Sequence, residues 1–526
     1  MEKDEYEKFI SGDWKKAEES IKRFVDQNDQ KFHFMELTTN GQWKVLWEAT
    51  FDYLASEESA PIYRDCLSVV RILSRDKTYL DVCITDERIN CLLNAANIGA
   101  DVKKHESAVV IEALKCLCNL VFNSKKCQAM CLNNTSTSGI IARIRTHKLD
   151  IEYEIQYFDM KLLFLITALN PEVRKKVRSD DGMLSLMEKL EDIMGENRDC
   201  DAFFDKQVDL IGEILKVLFN LTVPSEVGIP AEEDKEDHFH YLITVLRNLF
   251  LRRATSKEKQ QDLWSNCVNL LTSIPTQYFT ELTVECEEPK GFEGHDMTVI
   301  DLLLNFLRSR LESIQKVSGQ NECLSPILTA LVKCVRSSSR LRRYIRSQVL
   351  PPLRDVRRRP EDGTELRNYL CRLLTTPALQ VRDLVAEFLF VMCKENVGRM
   401  IKYTGYGNAA GMFANRGLLG GHGAPAEGYS SDSEDSDTEE YKELQHGINP
   451  VLGCYEPKKP NIFEGMTEEQ KEYEAMELVN LMDKLQRQGI MQPGRIGPDG
   501  RPVPVDHILE LQEELPQQQS DHKRKT

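Results

Sequence analysis

The segment Leu114-Lys115-Cys116-Leu117-Cys118-Asn119-Leu120 returns further along the chain as Leu215-Lys216-Val217-Leu218-Phe219-Asn220-Leu221. Both copies sit inside helical pattern. Val110, Ala113, Leu114, Leu117, Leu120 and Val121 recur at helical spacing, as do Ile211, Ile214, Leu215, Leu218 and Leu221. Such spacing gathers the apolar side chains into one stripe on a helix. Cys66, Val69, Val70 and Leu73 follow the same rule. Similar helices centre near Arg71, Asn119, Thr167, Asn220 and Asn269, with gaps of 48, 48, 53 and 49 residues. Helical HEAT and armadillo units repeat at ~40–47 residues, and loop insertions lengthen them. A single such unit leaves an apolar face bare, and stacking on a neighbour buries it.

The pattern therefore predicts an all-α, armadillo/HEAT-like superhelical solenoid over residues 1–425, with an irregular all-α domain as the alternative. Further apolar helices fall at Pro326–Val335 and Val381–Cys393. Strand alternation is scarce, and its nearest candidate is the short stretch Glu281–Cys286.

Of the 526 residues, 41% are hydrophobic, enough for a packed core, and 29% are charged. The net charge of −16 argues against general nucleic-acid binding, which needs clustered cations to displace counterions. No basic-then-apolar leader opens the chain. The most apolar stretch, Leu384–Cys393, is broken by Glu387 and is far short of the ~20 residues a membrane span needs. With no secretory signal, the 15 cysteines read as reduced, mostly buried thiols. Cys116, Cys118, Cys127 and Cys131 lack the spacing and the histidine of a zinc site. No metal or cofactor is expected.

Composition shifts near residue 405. Gly405, Gly407, Gly411, Gly417, Gly420, Gly421 and Gly423 cluster, and an acidic run from Ser430 to Glu440 follows. That run buries too little apolar surface to offset chain entropy, so residues 426–465 are expected to be a disordered linker. Thr467 and Gln470 then form a capping-box pair. Behind it Ala475, Leu478, Val479, Met482 and Leu485 make one apolar stripe, predicting an amphipathic helix within 466–491. A lone helix is marginal in water. It either folds back on the solenoid or enters a partner's groove. The Pro-, Gly- and Gln-rich tail, 492–526, is expected to be disordered.

Gly405-Tyr406-Gly407-Asn408-Ala409-Ala410-Gly411 has the look of a phosphate loop, but no strand precedes it. No Ser/His/Asp or Cys/His arrangement stands out. His238 and His240 read as surface residues.

Several segments together resemble the synembryn family. They are Arg71–Asp76, Leu114–Asn119, Gln348–Val356, Ala386–Val391, Ile401–Gly411, Asp437–Tyr441 and Met466–Met476, in family order. None is diagnostic alone; their combination is specific. The resemblance implies a non-catalytic chaperone and guanine-nucleotide exchange factor for heterotrimeric G-protein α subunits. It would hold Gα nucleotide-free and release it on GTP binding. It also implies a cytoplasmic protein, recruited to the cell cortex or plasma membrane through Gα. A generic armadillo-type peptide-binding adaptor or transport scaffold is the alternative.

Three sets of residues are candidates for the work. Arg71 and Arg75, four apart, are expected on one helix face, where guanidinium forks suit a carboxylate. Asn119, Asn220 and Asn269 recur in successive repeats. Asn costs ~0.5 kcal/mol or more inside a helix, and its amide suits a peptide backbone. The alternative is a solvated pair and structural asparagines. The resemblance favours this face as the receiver of the Gα C-terminal segment, and charge reversal at Arg71 is expected to weaken binding without unfolding.

Second, Ser431 and Ser436 each have Glu three residues on, the pattern favoured by acidophilic casein-type kinases. Phosphates there would add charge and acceptors, with Arg342, Arg343 and Arg346 as the docking site. A solvated tether beside a solvated arginine face is the alternative. Third, Leu478, Val479, Met482 and Leu485 would form a second contact on Gα.

Overall fold

The computed structural model describes residues 3–99, 104–146, 151–196, 202–223, 234–287, 291–316, 321–419, 437–457 and 465–505. Almost all of them are helices and turns. The chain forms two compact units, Met1–Glu287 with His295–Leu302, and Glu288–Gly294 with Leu303–Thr526.

In the first unit the repeat helices stack in sequence. They are α1 (Tyr63–Leu73), α2 (Ser107–Asn123), α3 (Tyr153–Leu169), α4 (Asp205–Thr222) and α5 (Lys257–Leu271), each packed on the next. The expected stripes are the buried ones: Cys66, Val69, Val70 and Leu73 on α1, Ile211, Ile214, Leu215, Leu218 and Leu221 on α4. Each such Val, Leu or Ile contributes roughly 1.5–3 kcal/mol of transfer free energy. Helix α2 also buries Ile111, Cys116 and Cys118, because it sits between α1 and α3 and carries the Asp86–Ala95 helix across it. Burial accordingly pushes the Cys118 thiol up to about 12. Outer helices complete the repeats: Gln42–Ala55 packs on α1, and Gly182–Glu196 packs on α4 and on the Asp234–Leu251 helix.

The stretch expected as a strand, Glu281–Cys286, opens in the last two residues of a 3-10 turn, Thr276–Leu282. Only Val284–Glu285 pairs, antiparallel to His295–Asp296.

In the second unit α6 (Ser325–Ser337) packs on α7 (Ser339–Val349) and on α8 (Leu379–Met392). Helices α9 (Val397–Thr404) and α10 (Tyr406–Arg416) follow and pack on α8. The glycine motif has a backbone purpose. Gly405 joins α9 to α10 at φ 74°, and the amides of Tyr406 and Gly407 donate to the carbonyls of Pro450 and Val451 at 2.8 and 2.9 Å. A Cβ on Gly453 would stand 2.7 Å from Pro360 Cγ and 2.9 Å from Gly405 Cα, so both glycines are required for this approach.

Two expectations of disorder meet a different outcome. Part of the linker is built: α11 (Glu439–Leu444) precedes a small ladder of Ile448–Asn449 with Cys454–Tyr455. In the tail, Gly494–Ile496 pairs with Pro502–Pro504 as a hairpin. Composition hid both, because backbone hydrogen bonds tie them down and they bury few side chains of their own, Tyr441, Cys454 and Val505 among them. Residues 420–436, with most of the acidic run, and 506–526 lie outside the described residues.

Candidate functional site

Every second ladder helix repeats a polar stripe. On α2 it is Glu112, Lys115 and Asn119; on α4 it is Glu213, Lys216 and Asn220. Spacings of three and four place each set on one helix face.

Asn119 Nδ2 donates to the Arg71 carbonyl at 3.1 Å, and Asn123 Nδ2 to the Ser74 carbonyl at 2.9 Å. Asn220 Nδ2 reaches the Phe164 carbonyl at 3.2 Å and Thr167 Oγ1 at 3.0 Å. These amides tie each helix to the one before it. Asn220 is buried and so is removed from any partner's reach, while Asn119 keeps a half-exposed position. Asn269 is exposed, and among the described residues its side chain ties to no preceding helix.

Arg71 and Arg75 do not share a helix face as expected. Helix α1 ends at Leu73, and Arg75 stands in the turn beyond it. The two converge through Asp29 instead. Arg71 Nη2 lies 3.1 Å from Asp29 Oδ1, and Arg71 Nε bonds Glu112. Arg75 donates to the carbonyls of Asp29 and Lys31 and lies over the Phe32 ring at 5.3 Å. Burial works against the Arg71 charge, but Glu112 and Asp29 outweigh it and hold its pKa above the usual arginine range. The hydrogen bond from Arg71 in turn holds the Asp29 carboxyl low. Glu112 is buried and also accepts from Ser68 Oγ at 3.1 Å. A charge reversal at Arg71 would therefore place a third carboxylate beside Asp29 and Glu112, the latter buried. Such a change is thus expected to disturb folding as well as binding.

The structure adds residues that the sequence reading missed. Lys77 lies 5.5 Å over the Phe122 ring, Lys115 lies 5.1 Å over Phe158, and Lys216 lies 5.9 Å over Phe164. Phe122 is 61% exposed. Lysine stems laid across aromatic rings make a surface that offers apolar area and positive charge together. The signal was present in the repeated segment, where Lys115 and Lys216 hold the same place.

The expected phosphate dock is arranged differently. Arg346 is 8% exposed, with its guanidinium 5.7 Å from the Tyr403 ring and Nη2 donating to Tyr403 Oη at 3.3 Å. Arg343 is held by Glu293, with Nε 2.8 Å from Oε1, and Arg342 is half-buried. Ser431 and Ser436 lie outside the described residues. Where the description resumes, Asp437 pairs with Lys402, Tyr441 is buried 4.7 Å from the Lys402 ammonium, and Thr438 donates to the Leu353 carbonyl. The end of the acidic run thus meets Lys402. Beside its anchor at Leu353 stand Arg354, Arg357, Arg358 and Arg359, all exposed. Arg346 is turned inward because it sits one residue past Ile345 and three before Val349, on the side of α7 that these two and Leu341 bury.

Helix α12 (Glu468–Arg487) begins with the reciprocal Thr467–Gln470 bonds, at 3.0 and 3.2 Å. None of its residues is buried. Leu478 is 58% exposed, and Val479, Met482 and Leu485 are half-covered.

Among the described residues, no group of three or more His, Cys, Asp or Glu is placed to hold a metal, and no helix is long and apolar enough to cross a membrane. Stacked helix repeats with a polar, aromatic-lined stripe, and a helix none of whose residues is buried, define a helical-repeat protein.

The family model described as guanine nucleotide exchange factor synembryn matches residues 66–501. "Chaperone Ric-8" of Drosophila melanogaster is 43% identical, with 96% of each chain covered. "Chaperone Ric-8A" of Gallus gallus is 39% identical over 89% of each, and that of Xenopus tropicalis 37% over 96%. The chain belongs to the synembryn family of guanine nucleotide exchange factors. Among solved structures, an engineered protein is 13% identical with a TM-score of 0.48, covering 82% of this chain and 85% of its own. A chain from a cadherin and beta-catenin structure is 11% identical with a TM-score of 0.47, covering 80% of this chain and 69% of its own.

Proposed function

We propose that this chain is a chaperone and nucleotide-exchange factor for heterotrimeric G-protein α subunits. The observation that carries the reading is the family match across residues 66–501, which includes both the ladder and α12. Exchange of this kind needs no covalent chemistry. A protein that binds nucleotide-free Gα more tightly than GDP-bound Gα lowers the affinity for GDP by the same factor. GTP binding then reverses the preference and releases Gα.

The C-terminal segment of Gα is assigned to the first unit, at Arg71, Arg75, Asn119 and the Lys–Phe pairs. Asp29 is the group an incoming carboxylate displaces, since it is more exposed than Glu112. Helix α12 supplies a second contact through Leu478, Val479, Met482 and Leu485. That none of its residues is buried supports this over folding back. Phosphorylation of Ser431 and Ser436 by an acidophilic casein-type kinase raises exchange, with the exposed arginines near Leu353 as its receivers. Replacing both serines by Ala lowers exchange; full activity after phosphatase treatment overturns the switch. The protein works in the cytoplasm and reaches the cell cortex through Gα.

The test is GDP release from purified Gα. Release accelerated by this chain supports exchange. Release at the intrinsic rate, with tight binding of extended peptides, supports the peptide-adaptor reading instead.

A further inference from the structure

Helix α12 lies in sequence between two places where the chain returns to α9 and α10, and each return is a meeting of two glycines. The first is Gly405 with Gly453, described above. The second is Gly417 with Gly500. Gly417 ends α10 at φ 70°, and Gly500 turns the Gly494–Pro504 hairpin, also at φ 70°. The Leu419 amide donates to the Gly500 carbonyl at 3.2 Å. A Cβ on Gly500 would stand 1.9 Å from the Gly417 carbonyl oxygen, and one on Gly417 would stand 2.5 Å from the Asp499 carbonyl oxygen. Only two residues without side chains allow this approach.

The two contacts differ in what backs them. Around the first, the Tyr406, Gly407 and Tyr455 amides all find carbonyls across the contact, the last to Val356 at 2.7 Å, and Tyr441 and Cys454 are buried. Around the second, both hairpin strands are exposed along their length, and burial is confined to Pro493, Gly497 and Val505. A segment with little burial and exposed backbone bonds opens at low cost.

We infer that the Gly494–Pro504 hairpin is a latch, closed by the Gly417–Gly500 backbone contact, that pins the far end of α12 to the end of α10. Closed, it makes α12 an arm of 20 residues, ~30 Å long, with a return contact on either side of it in sequence. Open, it leaves the Gly405–Gly453 contact as the return that remains among the described residues, with a longer reach for the arm and a lower effective concentration at any one place. The glycine-rich composition after residue 405 thereby has a use, since Gly405 and Gly417 are the receiving halves of the two contacts. The inference concerns this chain alone and does not depend on which partner α12 meets.

The test is hydrogen exchange by mass spectrometry on the full chain, comparing Gly500→Val with the unaltered protein. Peptides covering 417–419 and 494–505 are expected to exchange about tenfold faster or more. Tryptic cleavage after Lys484 and Arg487 is expected to quicken, while α6 and α8 keep their protection. Gly411→Ala, where an added Cβ meets nothing within 4 Å, is the control and leaves all of this unchanged. Unaltered exchange and cleavage in Gly500→Val would overturn the latch. Loss of protection spreading into α8 would also overturn it, by making the hairpin part of the core.

Discussion

Asn119 Nδ2 donates to the Arg71 carbonyl oxygen at 3.1 Å across 48 residues, the same interval that separates the first repeat centres. The bond turns a sequence period into a spatial register, because it fixes which turn of α2 faces which turn of α1. Asn is a poor interior helix residue, and here that cost is offset by a tie between helices. Asn220 repeats the device against Phe164 and Thr167. Replacing Asn119 by Ala is expected to lower unfolding free energy by ~1–2 kcal/mol, read by urea denaturation. Asn269→Ala, at an exposed position, should stay within about 0.5 kcal/mol. Equal effects at both would remove the tie from the account.

Arg71 cannot be probed by charge reversal alone. Arg71→Glu removes the partner of buried Glu112 and is expected to cost ~3–5 kcal/mol, so lost binding would reflect lost folding. Asp29 offers the cleaner probe. Asp29→Asn releases positive charge from Arg71 and Arg75 with little burial at stake, and should tighten Gα association by ~0.5–1 kcal/mol. The gain should shrink as salt rises. Weaker association, or a gain indifferent to salt, would argue against a carboxylate at this place.

A buried ion pair gives the first unit a pH signature. Arg143 Nη1 lies 3.2 Å from both oxygens of Asp159, yet burial outweighs the arginine and pushes the Asp159 carboxyl up to about 7. The folded chain therefore holds a proton there between the ordinary carboxylate range and about 7, where the unfolded chain does not. Stability from this group is fully present at acid pH and is lost as pH rises through that window. Asp159→Asn should flatten this part of the curve. Denaturation midpoints at pH 5.5 and 8 check it: the wild-type difference should exceed the variant's, and equal differences would assign the slope elsewhere.

Helix α12 separates binding from folding. Because it buries no residue, Leu478→Asp with Met482→Asp should leave the melting transition unchanged. The same pair should reduce exchange on Gα about tenfold or more, as loss of an apolar anchor does. A lowered transition would instead mean that the helix is part of the core.

The ladder was legible because burial of apolar side chains at helical spacing dictates it. Cys66, Val69, Val70 and Leu73 had one place to go. The Thr467 cap was legible for a similarly local reason, since both partners of the box lie within one turn. The polar site was less so. Arg75 left its expected face because α1 stops at Leu73, a boundary that spacing does not mark. Arg346 looked like surface charge but lies against Tyr403, a contact made across 57 residues. Lys402 was hidden in plain helix pattern until Asp437 met it. The hairpin at 494–504 was unreadable because its partner is the backbone of Gly417.

The central claim is that this chain prefers Gα with an empty nucleotide site, and a linked pair of titrations tests it most directly. The affinity of the chain for nucleotide-free and GDP-bound Gα is measured, together with the affinity of Gα for GDP with and without the chain. The account predicts tighter binding to the empty form and a fall in GDP affinity by the same factor. Equal affinity for the two forms, with GDP binding untouched, would contradict it.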